Sequence, residues 1–458
     1  MAISCRSEGV EGMEMLISQI ADFLHVSDVS SSLRIVDSQI DSRLVILGGL
    51  FFAIKGAKVD GHDFLEEVAG RGAVAVVVSR HYKGPDFGLV LIRVEDVGEA
   101  LRTLAKGRAQ ELGVPIIGIT GSMGKTTVKE FAATLLGGRY RVGKPPLSYN
   151  SKLTMPLTLL NAPEGVDLHL LEMGMSAPGE LRCLLDIASP QVGVITKVGL
   201  VHAAAFPDGL EGVIREKCEM ARYDSVQRLI IDHALMPYLL DVTKEKISIS
   251  LEDRSADYFV SLAGGRLFFD ERGVRTHVCD APFSEPHILH NLAIAVAIAR
   301  TMGMDWSEID PLIGQLRLPK RRFESIMHRG IRLIDDAYNA NPDSMRAALS
   351  CLPVPDTGGK RIAVLASMKE LGPLSESLHQ EVGIYARERI DWLLTLGAEA
   401  LQLCEAFAGS NKPAEHFSSR EALAERLCAL AKPGDVVLFK GSRSMELERV
   451  LDILKALA

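Results

Sequence analysis

Apolar residues in this chain gather in short unbroken runs, separated by stretches with helical spacing. Runs of four to eight bounded by Gly and polar turns predict strands at 72–79 (GAVAVVVS), 88–94, 114–120, 168–173, 192–196, 228–232, 332–335, 361–365, 392–396 and 435–439. Runs without polar alternation are what strands of a parallel sheet show when both faces are covered. Their alternation with helical stretches predicts an α/β protein with doubly wound sheets. At 458 residues the length suits about three domains. Three follow from the grouping: a small α/β unit (1–109), a central unit with a mostly parallel doubly wound sheet (110–326), and a Rossmann-like α/β unit (327–458). Helices are expected over 209–221, from His290-Asn291 along HNLAIAVAIA, and from Pro342, a residue suited to a first helical position.

The net charge of −8 disfavours non-specific nucleic-acid binding. No apolar stretch reaches the roughly 18 residues of a membrane span. The start, MAISCRSEGVEGMEM, lacks the apolar core of a signal peptide. Seven scattered cysteines form no CxxC pair, so neither a zinc site nor a disulfide frame is expected, and a cytoplasmic setting fits.

The segment 116–130 (IIGITGSMGKTTVKE) joins a β-branched strand, a glycine-containing loop and a helix start. Backbone N–H groups of such a loop, with a helix N-terminus behind them, point at an anion. Gly121, Ser122 and Gly124 form the turn and Thr127 follows in the helix start. Lys125 can neutralise β- and γ-phosphates, and the Thr126 hydroxyl can hold Mg²⁺. The segment therefore predicts an ATP or GTP site. Its spacing departs from GxxxxGK[ST], because position 119 is isoleucine and Gly118 comes one residue early.

Ligands in open α/β sheets bind beyond the carboxyl ends of the strands, so polar residues just after strands are candidates. Glu172 ends LHLLE and is placed to ligate Mg²⁺ beside the loop. His202, after VGVIT, reads by itself as an ordinary histidine, and Lys217, flanked by Glu216 and Glu219, as an exposed helix lysine. Asn291 can face a base or a phosphate, and spacing does not decide. In RLIDDAYNANPDSM (332–345), Asp336, Tyr338, Asn339 and Asn341 follow a strand. Such groups are costly to bury unpaired; they suit ribose hydroxyls, a substrate's carboxylate and amine, or an Asx-rich turn. Lys440, Ser442, Arg443 and Ser444 follow DVVLF and predict an anion site at a helix N-terminus.

Together these stretches resemble the Mur ligase family of ATP-dependent amide-forming enzymes, over about residues 40–454. The loop TGSMGKTT looks like the family's own, and YNANP, KGSRSM and 41–64 (DSRLVILGGLFFAIKGAKVDGHDF) are similar to its dipeptide-adding members. The resemblance implies a cytoplasmic, monomeric ligase of peptidoglycan precursor synthesis, serving cell shape and division. Its partners would be UDP-N-acetylmuramoyl-tripeptide and D-alanyl-D-alanine, and its cofactors ATP and two Mg²⁺. The three units would hold, in order, the UDP sugar, ATP and the dipeptide. It implies that Lys125, Lys217 and His202 serve catalysis, with Thr126 and Glu172 on one Mg²⁺ and His202 and a carbamylated Lys217 on the other. Asn291, Arg322 and Asp336 would contact nucleotide. Asn150, Tyr338, Asn339, Asn341, Lys440 and Arg443 would lie at the acyl-phosphate and dipeptide end, and Ser42, Arg43 and Lys55 near the UDP sugar. A P-loop ATPase, or a related amide ligase such as a folylpolyglutamate synthase, would share the loop; the YNANP run argues against the latter. The chain departs from the family's usual pattern at Ser151 and Thr154 (NNxxGxP), at Arg321 (KGRxE), at Ser367 (GDMxELG) and at Cys218, a common glycine.

Overall fold

The computed structural model describes residues 15–457; the start examined for a signal peptide, with Cys5, lies outside them. The described cysteines are all free. The first sheet is parallel, in the order Asp37–Gln39, Gly49–Phe52, Ala75–Ser79, Val90–Val94. Its last two strands are those expected; Gly49–Phe52 is apolar and buried but was not expected as a strand, and Asp37–Gln39 is short and polar. The helix Val97–Leu112 leads out of this sheet. Asp96 caps it by accepting from Glu99 N (2.7 Å), and Gly113 ends it at φ +61°.

The central sheet has nine strands. Val142–Gly143, Leu168–Glu172, Ile116–Thr120, Val192–Ile195, Arg228–Asp232, Glu245–Ser250 and Tyr258–Ala263 run parallel, in that order across the sheet. Two antiparallel strands, Arg266–Glu271 and Val274–Asp280, extend the edge. Every residue of Ile116–Thr120 is buried, as a strand covered on both faces requires. The chain moves from this strand to the Leu168–Glu172 side and then to the Val192–Ile195 side. Such a reversal of strand order opens a crevice at the carboxyl ends.

The helix Pro286–Thr301 starts one turn before the position expected from HNLAIAVAIA, because Pro286 takes a first-turn position suited to its fixed φ. His290 and Asn291 therefore sit in its second turn. Apolar on nearly every side, it is buried against Lys125–Leu136.

The last sheet, in the order Glu324–His328, Ile331–Asp335, Val436–Lys440, Arg361–Ala366, Trp392–Leu396, Ala414–Phe417, is parallel apart from its first strand. Pro342 opens the helix Pro342–Ser350. No α-helix begins directly after Lys440. A short 3₁₀ turn, Arg443–Met445, intervenes before Glu448–Leu457, which corrects the expected helix N-terminus there. One apolar cluster runs from Ile117 and Val128 through Ile334 to Ala363 and Leu393, so the central and last sheets share a continuous core. The α/β class expected from the pattern is the observed one. Among the described residues, no helix is long and apolar enough to cross a membrane.

Candidate active site in the interdomain cleft

A cleft of about 1450 Å³ lies where the strand ends of the central and last sheets face each other. It gathers the phosphate-type loop, Glu172, His202, Lys217, Arg322 and Asp336. The loop's two glycines are required by space. Gly121 has φ +144°, and a Cβ there would stand 1.9 Å from Thr196 Oγ1. Gly124 has φ +86°, and its Cβ would stand 2.2 Å from Asn291 Oδ1. This second approach presses Asn291 against the loop, which spacing alone did not settle. Not all loop N–H groups face the cleft: Ser122 N and Met123 N donate to Lys197 O (3.0 and 3.2 Å), and Ser122 Oγ donates to Gly199 O (2.8 Å).

Lys125 opens the helix Lys125–Leu136 and turns its Nζ onto Gly121 O (2.6 Å). Burial foremost lowers its pKa to about 8; Glu172 opposes the shift and Arg322 adds to it. Thr126 Oγ1 lies 3.2 Å from Glu172 Oε2, 3.0 Å from Ser148 Oγ and 3.1 Å from Arg322 Nη2. Glu172 is fully buried, and its other oxygen, Oε1, receives no hydrogen bond of good geometry. The charge facing Oε1 is Lys129 Nζ at 3.3 Å. Lys129 is fully buried too, and also meets Glu130 Oε1 (3.0 Å) and Leu147 O (3.1 Å). Sequence reasoning passed over Lys129, although it lies one helical turn after Lys125 and shares its face.

Lys217 is 1 % exposed, not the surface lysine its acidic neighbours suggested. Val213, Ile214, Met220 and Ala221 are buried with it, so the helix period did place it on the inner face. Its Nζ donates to Gly121 O (3.1 Å). Burial first, then the charge of Lys125, pushes the amine well below its ordinary pKa. His202 stands nearby with its Nδ1 bonded to the carboxylate of Glu370, another residue that sequence reasoning missed. Burial lowers the His202 pKa and Glu370 partly restores it. Asn150 lines the same cleft and packs on Gly174, just beyond Glu172.

Arg322 reaches across from the segment joining the two sheets. It bonds Thr126 on one side and stacks 3.9 Å from the Tyr338 ring centre on the other. Asp336 Oδ2 pairs with Lys440 Nζ at 2.5 Å, and Lys440 also donates to Asn339 O (3.2 Å). The Asn341 side chain is largely buried and caps the helix Pro342–Ser350 by accepting from Ser344 N (2.8 Å). The four groups after DVVLF do not converge. Lys440 turns to Asp336, Ser442 Oγ accepts from Lys369 N (2.9 Å), and Arg443 pairs with Glu448. Ser42, Arg43 and Lys55 lie in the first unit, away from the cleft-lining set. There Ser42 bonds Glu67 (3.1 Å), Arg43 pairs with Asp41 (2.6 Å), and the backbone of Lys55 pairs antiparallel with that of Asp60.

Three family models match in order: the Mur ligase family catalytic domain over 35–109, the Mur ligase middle domain over 119–299, and the Mur ligase glutamate ligase domain over 321–443. The UDP-N-acetylmuramoyl-tripeptide–D-alanyl-D-alanine ligase of Bacillus subtilis is 32% identical, across 90% of this chain and 91% of its own length. That of Synechocystis is 32% identical, across 94% and 95%. Among solved structures, MurF ligase from Thermotoga maritima in complex with ADP has a TM-score of 0.77 at 28% identity, covering 92% of this chain and 97% of that one. MurF from Acinetobacter baumannii has a TM-score of 0.85 at 25% identity, covering 98% and 100%.

Proposed function

The chain belongs to the Mur ligase family, and from that premise we propose how its cleft works. It is an ATP-dependent ligase that joins D-alanyl-D-alanine to UDP-N-acetylmuramoyl-tripeptide in peptidoglycan synthesis. The observation that carries the reading is the facing pair of clusters. Lys125, Thr126 and Glu172 lie on one wall of the cleft and Asp336, Asn339 and Lys440 on the other, with Arg322 between.

In our reading residues 1–109 hold the UDP sugar through the region of Ser42, Arg43 and Lys55, 110–326 hold ATP, and 327–458 hold the dipeptide. Asn291, Arg322 and Asp336 contact the nucleotide. Thr126 and Glu172 fit one Mg²⁺: both offer hard oxygens, and Glu172 Oε2 stands 3.2 Å from Thr126 Oγ1 at the lip of the phosphate-type loop. Lys217 fits carbamylation, because a buried amine that sheds its proton can add to carbon dioxide, releasing one proton and gaining a carboxylate. With His202 that carboxylate would hold a second Mg²⁺, and its charge would offset the buried Lys125. When bound, the cations disperse charge on the transferring phosphoryl group.

A carboxylate is a poor acyl donor until its oxygen becomes a good leaving group. The tripeptide carboxylate attacks the γ-phosphorus and ADP leaves, giving an acyl phosphate. Lys125 and the loop stabilise the phosphoryl oxygens through this step. The neutral amine of the dipeptide, held near Asn150, Tyr338, Asn339 and Arg443, then attacks the acyl carbon; the C–O bond to phosphate breaks, and the departing phosphate takes up the proton the nitrogen loses as the amide forms. Closure of the cleft walls around the bound substrates would keep water from the acyl phosphate. We place this work in the cytoplasm, where ATP is available.

The test is phosphate release from MgATP and UDP-muramoyl tripeptide, with and without D-alanyl-D-alanine, and the product mass. Release only with both substrates, and a pentapeptide mass, is expected. Release that ignores the dipeptide would defeat the reading. For carbamylation, Lys217→Ala should be nearly inactive and partly rescued by short carboxylic acids; an undiminished rate would remove the lysine from the mechanism.

A further inference from the structure

Two stretches from different sheets meet at the rim of the cleft. One, with His202, follows the strand Val192–Ile195; the other, with Glu370, follows Arg361–Ala366. They are joined by the His202–Glu370 bond and by Ala204 N donating to Glu370 O (3.4 Å). Gly372, at φ +55°, sits so close that an added Cβ would stand 2.9 Å from Ala204 Cα. Both partners of the ion pair hold left-handed backbones, His202 at φ +53° and Glu370 at φ +66°. Residues with side chains rarely do so, and each such position is strained. The Glu370 side chain is 61% exposed, and an exposed ion pair contributes little to stability. Stability alone therefore does not account for two strained residues meeting here. Strain of this kind gathers where a site needs a fixed geometry.

A metal-binding imidazole commonly gives its second ring N–H to a carboxylate, which fixes the tautomer and aims the other nitrogen. Here Nδ1 faces Glu370, which leaves Nε2 for a cation. Lys217 and Lys125 are the other charged groups acting on this ring, both from the central unit. We infer that Glu370 is the positioning residue of His202, supplied by the last domain, so that the second cation site is complete only when that domain is docked on the central one. The inference rests on the two-cation reading above.

Mn²⁺ titration in the presence of a non-hydrolysable ATP analogue, followed by electron paramagnetic resonance, tests this on the full chain. Wild type should bind two ions. Glu370→Ala should weaken the second by 10- to 100-fold and leave the first unchanged, which also shows that the variant is folded. Glu370→Gln, whose amide oxygen still accepts from Nδ1–H, should keep most of the second site. Gly372→Ala should weaken it with the carboxylate still present, because its Cβ drives the two stretches apart. Normal binding of both ions by Glu370→Ala would overturn the role of Glu370, as would a Gln variant no better than Ala. An unaffected Gly372→Ala would overturn the docking requirement. A wild type that binds one ion would defeat the two-cation reading itself, and the inference with it.

Discussion

Lys129 offers the sharpest energetic test, because it and Glu172 are both wholly enclosed. Their charges stand 3.3 Å apart, which at an effective dielectric of about 20 is a gross attraction of about 5 kcal/mol. Desolvation consumes much of that, so the pair need not stabilise the fold in total. Removing one partner is different: it strands the other charge, at a cost of about 3–5 kcal/mol. Lys129→Met keeps the volume and deletes the charge. We expect that loss in urea unfolding followed by Trp306, in a Trp392→Phe background where Trp306 is the remaining tryptophan. Trp306 stacks on His277 at 4.2 Å on the central sheet, so it reports on the unit concerned. Adding Glu172→Gln to Lys129→Met should restore part of the loss, since the stranded carboxylate is then gone while the buried Lys125 loses the carboxylate that favours its charge. A Lys129→Met variant within 1 kcal/mol of its parent, or a double variant no better than the single, would refute the stranded-charge argument.

Lys125 is held down to about 8, and a bound phosphate favours its charged form. Nucleotide binding above pH 8 should therefore take up a proton, and affinity should fall by up to tenfold per pH unit toward 10.5. Calorimetry in buffers of different ionisation heat measures that uptake; none would contradict the burial. Without nucleotide the sign runs the other way: the unfolded lysine keeps its proton to higher pH than the folded one, so this group's contribution to stability rises between pH 8 and 10.5. Gly124→Ala should lose roughly 1–2 kcal/mol to backbone strain and displace Asn291, weakening an ATP analogue sharply. Adding Asn291→Ala should recover part of the folding loss, as read by thermal melting, but not the affinity. Asn341→Ala should destabilise the helix Pro342–Ser350 by about 1 kcal/mol and raise the KM for the dipeptide more than that for ATP. A selective rise for ATP would move Asn341 to the nucleotide.

Legibility followed range. The phosphate-type loop was readable because strand, glycines, lysine and helix start are contiguous. The inner parallel strands were readable because burial on both faces leaves unbroken apolar runs. The outer strands Tyr258–Ala263, Arg266–Glu271 and Val274–Asp280 were not, being mixed in polarity. Their local signal was in the turns, Gly264-Gly265 (φ +57° and +75°) and Arg272-Gly273 (φ +49° and +79°), which suit tight hairpins. The pairs that shape the cleft are long-range. His202 and Glu370 are 168 positions apart, and Asp336 and Lys440 are 104 apart. No period of 2 or 3.6 encodes such meetings, so residue types pointed to the chemistry while partners came only from the folded chain.

The same distinction explains how the chain can depart from its family's pattern around an intact centre. Arg321 stands where glycine is usual, and it holds the left-handed backbone, φ +61°, that glycine would adopt freely. Its N–H on Glu324 (3.2 Å) and guanidinium on Glu448 (3.1 Å) hold it there. Ser367 stands where an aspartate is usual, and it is fully buried. Its Oγ accepts from Ala400 N (3.3 Å) and fills the space left by Gly397, whose Cβ would come within 2.5 Å of it. A carboxylate there would need a buried cation, and the nearby Lys369 is already paired with Glu399 (2.6 Å). Thr154 closes its turn through Ser151 Oγ at 2.9 Å. Each change meets a local need of backbone or burial, and none of these three side chains bonds to Lys125, Thr126, Glu172 or Lys217. The departures therefore bear on how the walls of the cleft are held, while Lys125, Thr126, Glu172 and Lys217 make their contacts without them.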